Sequence, residues 1–260
     1  MWDLAVSQIR RFLLFRAQVP GSSTMELIFS GNAIRWTESQ DVVFEPRVQH
    51  LGCFAGGMFA LASRIFDEPG DFYIGEALTN GCVWAYQHAK LGIMPEAFTM
   101  LACENDNGTQ CDEDPLVWAH RDKVGSGGSF IAPSNLPAGF IAVNDARYLL
   151  RPEAIESVFI MWRLTGDSYW RGVGWEMFRN IRQYTWSPFG HAALENVMEI
   201  PWSSPGGKPK QRNEMESFWY AETLKYFYLL FSDVDLVNLD EFVLNTEAHP
   251  MRLTKGIRGF

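Results

Sequence analysis

Positive charge is scarce in this chain: 22 lysines and arginines face 31 aspartates and glutamates, for a net charge of −9 and a pI near 5.1. The basic residues form no stripe, which argues against a phosphate-backbone partner, so no nucleic acid is expected. Long apolar runs are missing as well. FLLF at 13–16 lies inside the helix-like IRRFLLFRAQ and is far too short for a signal core or a membrane span, so neither a targeting segment nor a membrane span is expected. There is no CxxC and no HExxH, so a zinc site is not expected. Alternating β-type stretches are few, and the chain reads as mainly α.

Cysteine is sparse but even in number. Cys53, Cys82, Cys103 and Cys111 are joined by an Asn-Gly-Thr glycosylation acceptor at Asn107. Together they suit an oxidising, secretory setting; four buried thiols and a chance acceptor account for them equally well.

What is present is apolar bulk. With 260 residues and 47% hydrophobic content, the chain has ample material for a packed core. Residues 2–17 carry a helical pattern closed by Pro20, Gly21, Ser22 and Ser23; MELIFS at 25–30 is strand-like, and 31–49 reads as irregular. HLGCFAGGMFALASRIF at 50–66 is apolar nearly all round, as an inner helix would be, and Gly56-Gly57 would admit a second backbone. DEPGDFY breaks this helix, with Asp71 as the expected cap of the next, which runs to about Lys90. The arrangement recurs: an apolar helix over 154–164, then TGDSY with Asp167 as cap, then an aromatic-rich helix over 169–184. This internal repeat predicts stacked helical hairpins, in a solenoid or toroid. Residues 104–144 are expected to be loop with short strands, 203–213 an exposed loop, 214–232 a last helix, and FVLNTEAHP at 242–250 a strand or turn.

Three short segments set strong acids among aromatics and threonine. In YLLRPEAIES at 148–157, Pro152 marks a helix start, with Glu153 and Glu156 three apart on one face of the first turn. There the positive end of the helix favours carboxylates. EMESFWYAETLKYF at 214–227 adds Glu216 and Glu222, with Phe218 four residues before Glu222 and able to stack on a sugar ring. LNTEAHP at 244–250 adds Thr246 and Glu247, and Glu96 follows a proline in GIMPEAF. Crowded carboxylates repel unless a cation or protons balance them, and hard oxygen donors favour calcium; a pair of acids is also what glycoside hydrolysis requires. Taken singly the residues have plainer readings. Arg-Pro-Glu is a common cap with a surface ion pair, Phe218, Trp219 and Tyr220 are core aromatics by default, His249 is a turn histidine, and His50 can cap a helix.

The segments HLGCFAGGM, LRPEAIES, MESFWYAETLKYFYLLF and LNTEAHP, in that order, resemble the class I α-1,2-mannosidases of glycoside hydrolase family 47, with a fungal flavour. That resemblance implies part of an (α/α) toroid, seven hairpins in the whole family barrel, with short β segments in its loops and a calcium ion at its floor. It implies inverting removal of terminal α-1,2-linked mannose from a high-mannose N-glycan, in the endoplasmic reticulum, the Golgi or outside the cell. Glu153 would be the base that activates water and Glu96 a proton donor. Arg151, Phe218, Glu222 and His50 would bind substrate, His50 by lining the cleft. Thr246 would hold calcium directly, and Glu153, Glu156, Glu222 and Glu247 would hold it through water. Cys53 and Cys82 would form the family disulfide, leaving Cys103 and Cys111 as a local pair. The likeness covers the carboxyl-terminal half of the family domain, from somewhat before His50 to Pro250, with 251–260 as a tail, in one domain spanning 1–260. The expectation is therefore a truncated barrel with inner helices such as 50–66 open to water, either a mannosidase portion or a mannose-binding, lectin-like relative.

Overall fold

The computed structural model describes residues 1–19, 26–35, 42–103, 136–199 and 207–254. Two helical hairpins dominate it. The first joins α2 (Phe54–Ile65) to α3 (Pro69–His88), the second α4 (Glu153–Thr165) to α5 (Ser168–Thr185), and α1 (Trp2–Phe12) precedes both. Each hairpin turns at a left-handed residue, Asp67 (φ 55°) in the first and Gly166 (φ 68°) in the second. Asp167 caps α5 as expected, accepting from the Tyr169 N–H at 2.9 Å. Asp71 does not cap α3. Pro69 starts that helix two residues earlier, so Asp71 is carried inside, where it takes the Trp2 indole N–H at 3.0 Å and pairs with Arg10. The repeated Gly-Asp-x-Tyr thus serves two different local structures.

The expected close approach at Gly56-Gly57 is found, on two sides at once. A Cβ on Gly56 would stand 2.3 Å from Thr79 Oγ1 of α3, and one on Gly57 2.6 Å from Ile160 Cδ1 of α4. The Gly57 N–H donates to Ser157 Oγ at 2.9 Å, and that hydroxyl donates to the Cys53 carbonyl at 2.6 Å. Cys53 and Cys82 are bonded, with Cα atoms 5.9 Å apart, tying the start of α2 to α3. Cys103 is bonded too, whereas Cys111 and Asn107 lie outside the described residues. The openness expected of 50–66 is confined to its ends: Leu51, Phe54, Ile65 and Phe66 are exposed, while Phe59 and Ala60 are buried. Over the middle and the far end, Trp2 of α1 packs on the Phe59 and Phe66 rings.

Several boundaries differ from the sequence reading. The first helix stops at Phe12 because the next backbone is used in pairing: β1 (Leu14–Phe15) is antiparallel to β2 (Phe29–Ser30), and the Leu13 carbonyl accepts from the Gly31 N–H. The irregular 31–49 contains the hairpin β3 (Asn32–Arg35) and β4 (Val42–Glu45), and then β5 (Arg47–Gln49). β5 joins β6 (Ala97–Met100) and β7 (Phe140–Asp145) in an antiparallel sheet of order β5-β6-β7. Its register sets Gln49 opposite Ala97 and Ala97 opposite Asp145, so one end of the sheet delivers three segments: His50, Glu96 and the run from Arg147 into α4. The last helix starts late. Residues 214–216 lie in neither helix nor strand, with the Glu214 carbonyl accepting from the Ala193 N–H. A π-helical turn (Trp219–Thr223) then leads into α6 (Leu224–Phe231). Two-residue strands β8 (Trp186–Ser187) and β9 (Gly190–His191) follow α5. At the carboxyl end β10 (Phe242–Leu244) pairs with β11 (Pro250–Arg252), so residues 251 and 252 belong to a hairpin and not to a tail.

Candidate active site

The chain enters α4 through a strained turn. Leu150, fully buried, has φ 63°, a left-handed conformation unfavourable for a branched side chain by on the order of 1–2 kcal/mol. It is fastened on both sides. The Leu149 N–H donates to Glu96 Oε1 at 3.0 Å, and Thr223 Oγ1 donates to the Leu150 carbonyl at 2.6 Å. Pro152 follows as the residue before the helix, and the Glu156 N–H donates to its carbonyl at 2.8 Å. Glu153 and Glu156 thus occupy the first turn of α4, as the sequence implied.

Glu153 is held by a buried array. His50 Nδ1 lies 3.1 Å from Glu153 Oε2, and His50 Nε2 lies 2.8 Å from the Tyr86 hydroxyl. His50 has no exposed surface and Tyr86 almost none. His50 therefore does not line a cleft; it stands behind the carboxylate, delivered there by the end of β5. Burial raises the Glu153 carboxyl, but the His50 hydrogen bond and charge, with help from its own N–H and Arg151, hold it below the usual glutamate range. Charge on this group at neutral pH is what a general base requires.

Glu96 sits just before β6 and is 9% exposed. One of its carboxylate oxygens accepts from the Leu149 N–H, the other from Arg151 Nε. Both carboxylate oxygens therefore have donors within the protein. Arg151 in turn has its guanidinium carbon 6.0 Å from the centre of the Phe218 ring, which brings together two of the residues expected to bind substrate. Of the neighbouring aromatics Trp219 is core, fully buried, while Tyr220 is exposed, against its default reading.

The other acids gather on the open side. Burial pushes the Glu156 carboxyl up to about 7; the hydrogen bond from the Tyr226 hydroxyl, 2.5 Å from Oε1, opposes this, and the charges of Glu153 and Glu222 add to it. Burial also raises Glu222, followed by the charges of Glu153 and Glu247, with Lys225 and His249 acting against them. Glu153, Glu156, Glu222 and Glu247 therefore share one electrostatic neighbourhood. Thr246 and Glu247 lie in the exposed turn between β10 and β11. Asn245 Oδ1 accepts from the Glu247 and His249 N–H groups at 3.1 and 2.8 Å, Ala248 is left-handed (φ 55°), and Lys225 Nζ of α6 donates to the Ala248 carbonyl at 2.7 Å. His249 is an exposed turn residue with Nδ1 3.7 Å from Glu247 Oε2. Glu216 is exposed, and its carbonyl accepts from the Trp219 N–H. The sequence reading missed Tyr86, Tyr226, Thr223 and Lys225. Tyr86, Tyr226 and Lys225 lie in α-helices and Thr223 closes the π-helical turn, and only the fold turns each toward a partner of the site or a strained carbonyl.

Fold and site together define a class: helical hairpins presenting a buried, histidine-held carboxylate beside a group of further acids. Comparison with known proteins makes this specific. Residues 1–253 match the profile of glycosyl hydrolase family 47, and the chain belongs to that family. The match begins at residue 1, well before the His50 segment from which the resemblance was read. The chain is similar to mannosyl-oligosaccharide 1,2-alpha-mannosidase MNS3 of Arabidopsis thaliana, 30% identical over 94% of this chain and 37% of that protein. It is also similar to mannosyl-oligosaccharide alpha-1,2-mannosidase IA of Spodoptera frugiperda, 36% identical over 80% of this chain and 26% of the other. Among solved structures it resembles the alpha-1,2-mannosidase from Trichoderma reesei, with a TM-score of 0.74 and 26% identity over 97% of this chain and 46% of that one. The chain spans less than half the length of each of these relatives.

Proposed function

We propose that this chain is the part of an α-1,2-mannosidase that carries the base and the calcium-binding acids, within a toroid of helical hairpins, and that it acts on terminal α-1,2-linked mannose of high-mannose N-glycans. The observation that carries the reading is the Glu153–His50–Tyr86 array set against the open acids, in a chain of this family. Glu153, kept charged, takes the proton of the attacking water. Attack from the face opposite the leaving oxygen inverts the anomeric centre, which calls for an acid roughly 6.5 to 9.5 Å from the base. Phe218 supplies an apolar face for the sugar ring, and Arg151 and Glu222 bind hydroxyls beside it.

The donor set fits calcium. It is all oxygen, and burial plus mutual repulsion leave Glu156 and Glu222 short of positive charge. Among the described residues no three histidine, cysteine, aspartate or glutamate side chains stand close enough to hold an ion by themselves. By the family resemblance, Thr246 would bind the ion directly, with water between it and Glu153, Glu156, Glu222 and Glu247. When bound, calcium would neutralise the acids and orient sugar hydroxyls. The Cys53–Cys82 bond supports work in the secretory pathway or outside the cell, where disulfides persist. Among the described residues no helix is long and apolar enough to cross a membrane.

The test is mannose release from an α-1,2-linked oligomannose glycan, with calcium and then with chelator. Calcium-dependent release supports the reading, whereas glycan binding by the folded chain without release favours the lectin-like alternative. A folded chain that neither binds nor cleaves overturns both.

A further inference from the structure

Glu96 makes more connections than a proton donor needs. Its N–H donates to the Arg147 carbonyl at 2.9 Å, and its carbonyl accepts from the His50 N–H at 2.9 Å. Its carboxylate takes the Leu149 N–H and Arg151 Nε. One residue thus joins the segment that carries His50 to the segment that carries Arg151 and Glu153. Between its two carboxylate contacts lies Leu150, whose left-handed backbone persists only if the surroundings impose it. Thr223 holds the far side of that turn through the Leu150 carbonyl.

Among the described residues, the Arg151 guanidinium meets Glu96 and the Phe218 ring. With Nε on Glu96, its fork is turned toward the Phe218 ring, the surface on which a sugar would lie. Remove the negative charge from residue 96, and both the aim of Arg151 and the tether of the Leu150 turn are weakened.

We propose that Glu96 is a positioning residue for sugar recognition: it aims Arg151 at the mannose site and clamps the Leu150 turn that feeds Glu153, and it delivers no proton to the leaving group. The inference rests on the mannoside reading of Phe218 and Arg151, and its test separates the two. Glu96→Gln keeps the shape of the side chain but sets an amide N–H against either Arg151 or the Leu149 N–H. Steady-state kinetics on oligomannose should show kcat/KM falling on the order of 10- to 100-fold. Most of that loss should appear as a higher KM, with the shape of the kcat–pH profile unchanged. In an Arg151→Met background, Glu96→Gln should cost less than about a further twofold, because the residue it aims is gone.

A general acid would behave differently. Glu96→Gln would then lower kcat by about 10²- to 10⁴-fold at unchanged KM, would erase the basic limb of the pH profile, and would be rescued by an aryl mannoside with a good leaving group. That pattern overturns the proposal. If the wild-type chain neither binds nor cleaves glycan, the mannosidase reading falls, and the clamp is judged on thermal melts of Glu96→Gln, Arg151→Met and the double variant. Non-additive shifts in melting temperature support the clamp, and additive shifts overturn it.

Discussion

The two halves of the candidate site are built in opposite ways. On the closed side, Glu153 backs onto His50 and Tyr86, Glu96 grips Arg151, and the Leu150 turn is fastened from two directions. On the open side, Glu222 is half-buried and Thr246 and Glu247 stand in an exposed turn, tied to the body through Lys225 on the Ala248 carbonyl. Protein groups satisfy the first half, so its geometry is set before any ligand arrives. The second half keeps excess negative charge, and a cation is what would complete it.

The largest expected effect breaks the closed side. Glu153→Gln should lower mannose release by roughly 10³-fold or more, in this chain or in a longer parent that contains it, while circular dichroism stays unchanged. Normal rates in that variant would dismiss Glu153 as the base. On the open side, calcium should raise the stability of the wild-type chain by about 2.7 kcal/mol at a hundredfold excess over Kd. Thr246→Ala should abolish most of that gain, and equal calcium-dependent melting shifts in both proteins would place the ion elsewhere.

Glu156 sharpens the contrast through pH. Its carboxyl is raised in the folded chain from 4.5 to about 7, so folding favours its protonated form. Its contribution is fully present below about 4.5 and is lost as pH rises through about 7. Without calcium, Glu156→Gln should therefore stabilise the chain at pH 8 relative to wild type by roughly 1–3 kcal/mol, the difference vanishing toward pH 4. Parallel urea titrations across that range decide it, and a constant difference would refute the buried-acid account. The smallest effect belongs to the tether. Lys225→Met should cost about 0.5–1.5 kcal/mol, seen as faster amide exchange at Ala248 and its neighbours with little change in α4.

The legibility of these features follows their physics. Hairpins, helix starts and the glycine pair were visible because periodicity, proline, glycine and Asp167 act over a few residues, and Glu153 and Glu156 were placed by three-residue spacing alone. Asp71 misled because Pro69 had already started the helix. His50 was read as a cleft residue because no local pattern reveals what lies behind a side chain. Short strands were expected within 104–144, but no local pattern placed the one at 140–145 or its pairing, which aligns the run into α4 with His50 and Glu96.

The sequence by itself determined the family, the helical hairpins and the acids, since each is written in residue types at short spacing. Only the tertiary structure decided that Glu96 grips Arg151, that Tyr86 and His50 stand behind Glu153, and that Leu150 turns left-handed. Those are contacts between residues 36 to 103 positions apart, or strain imposed by such contacts. Burial and long-range hydrogen bonds create them, and no local propensity encodes them.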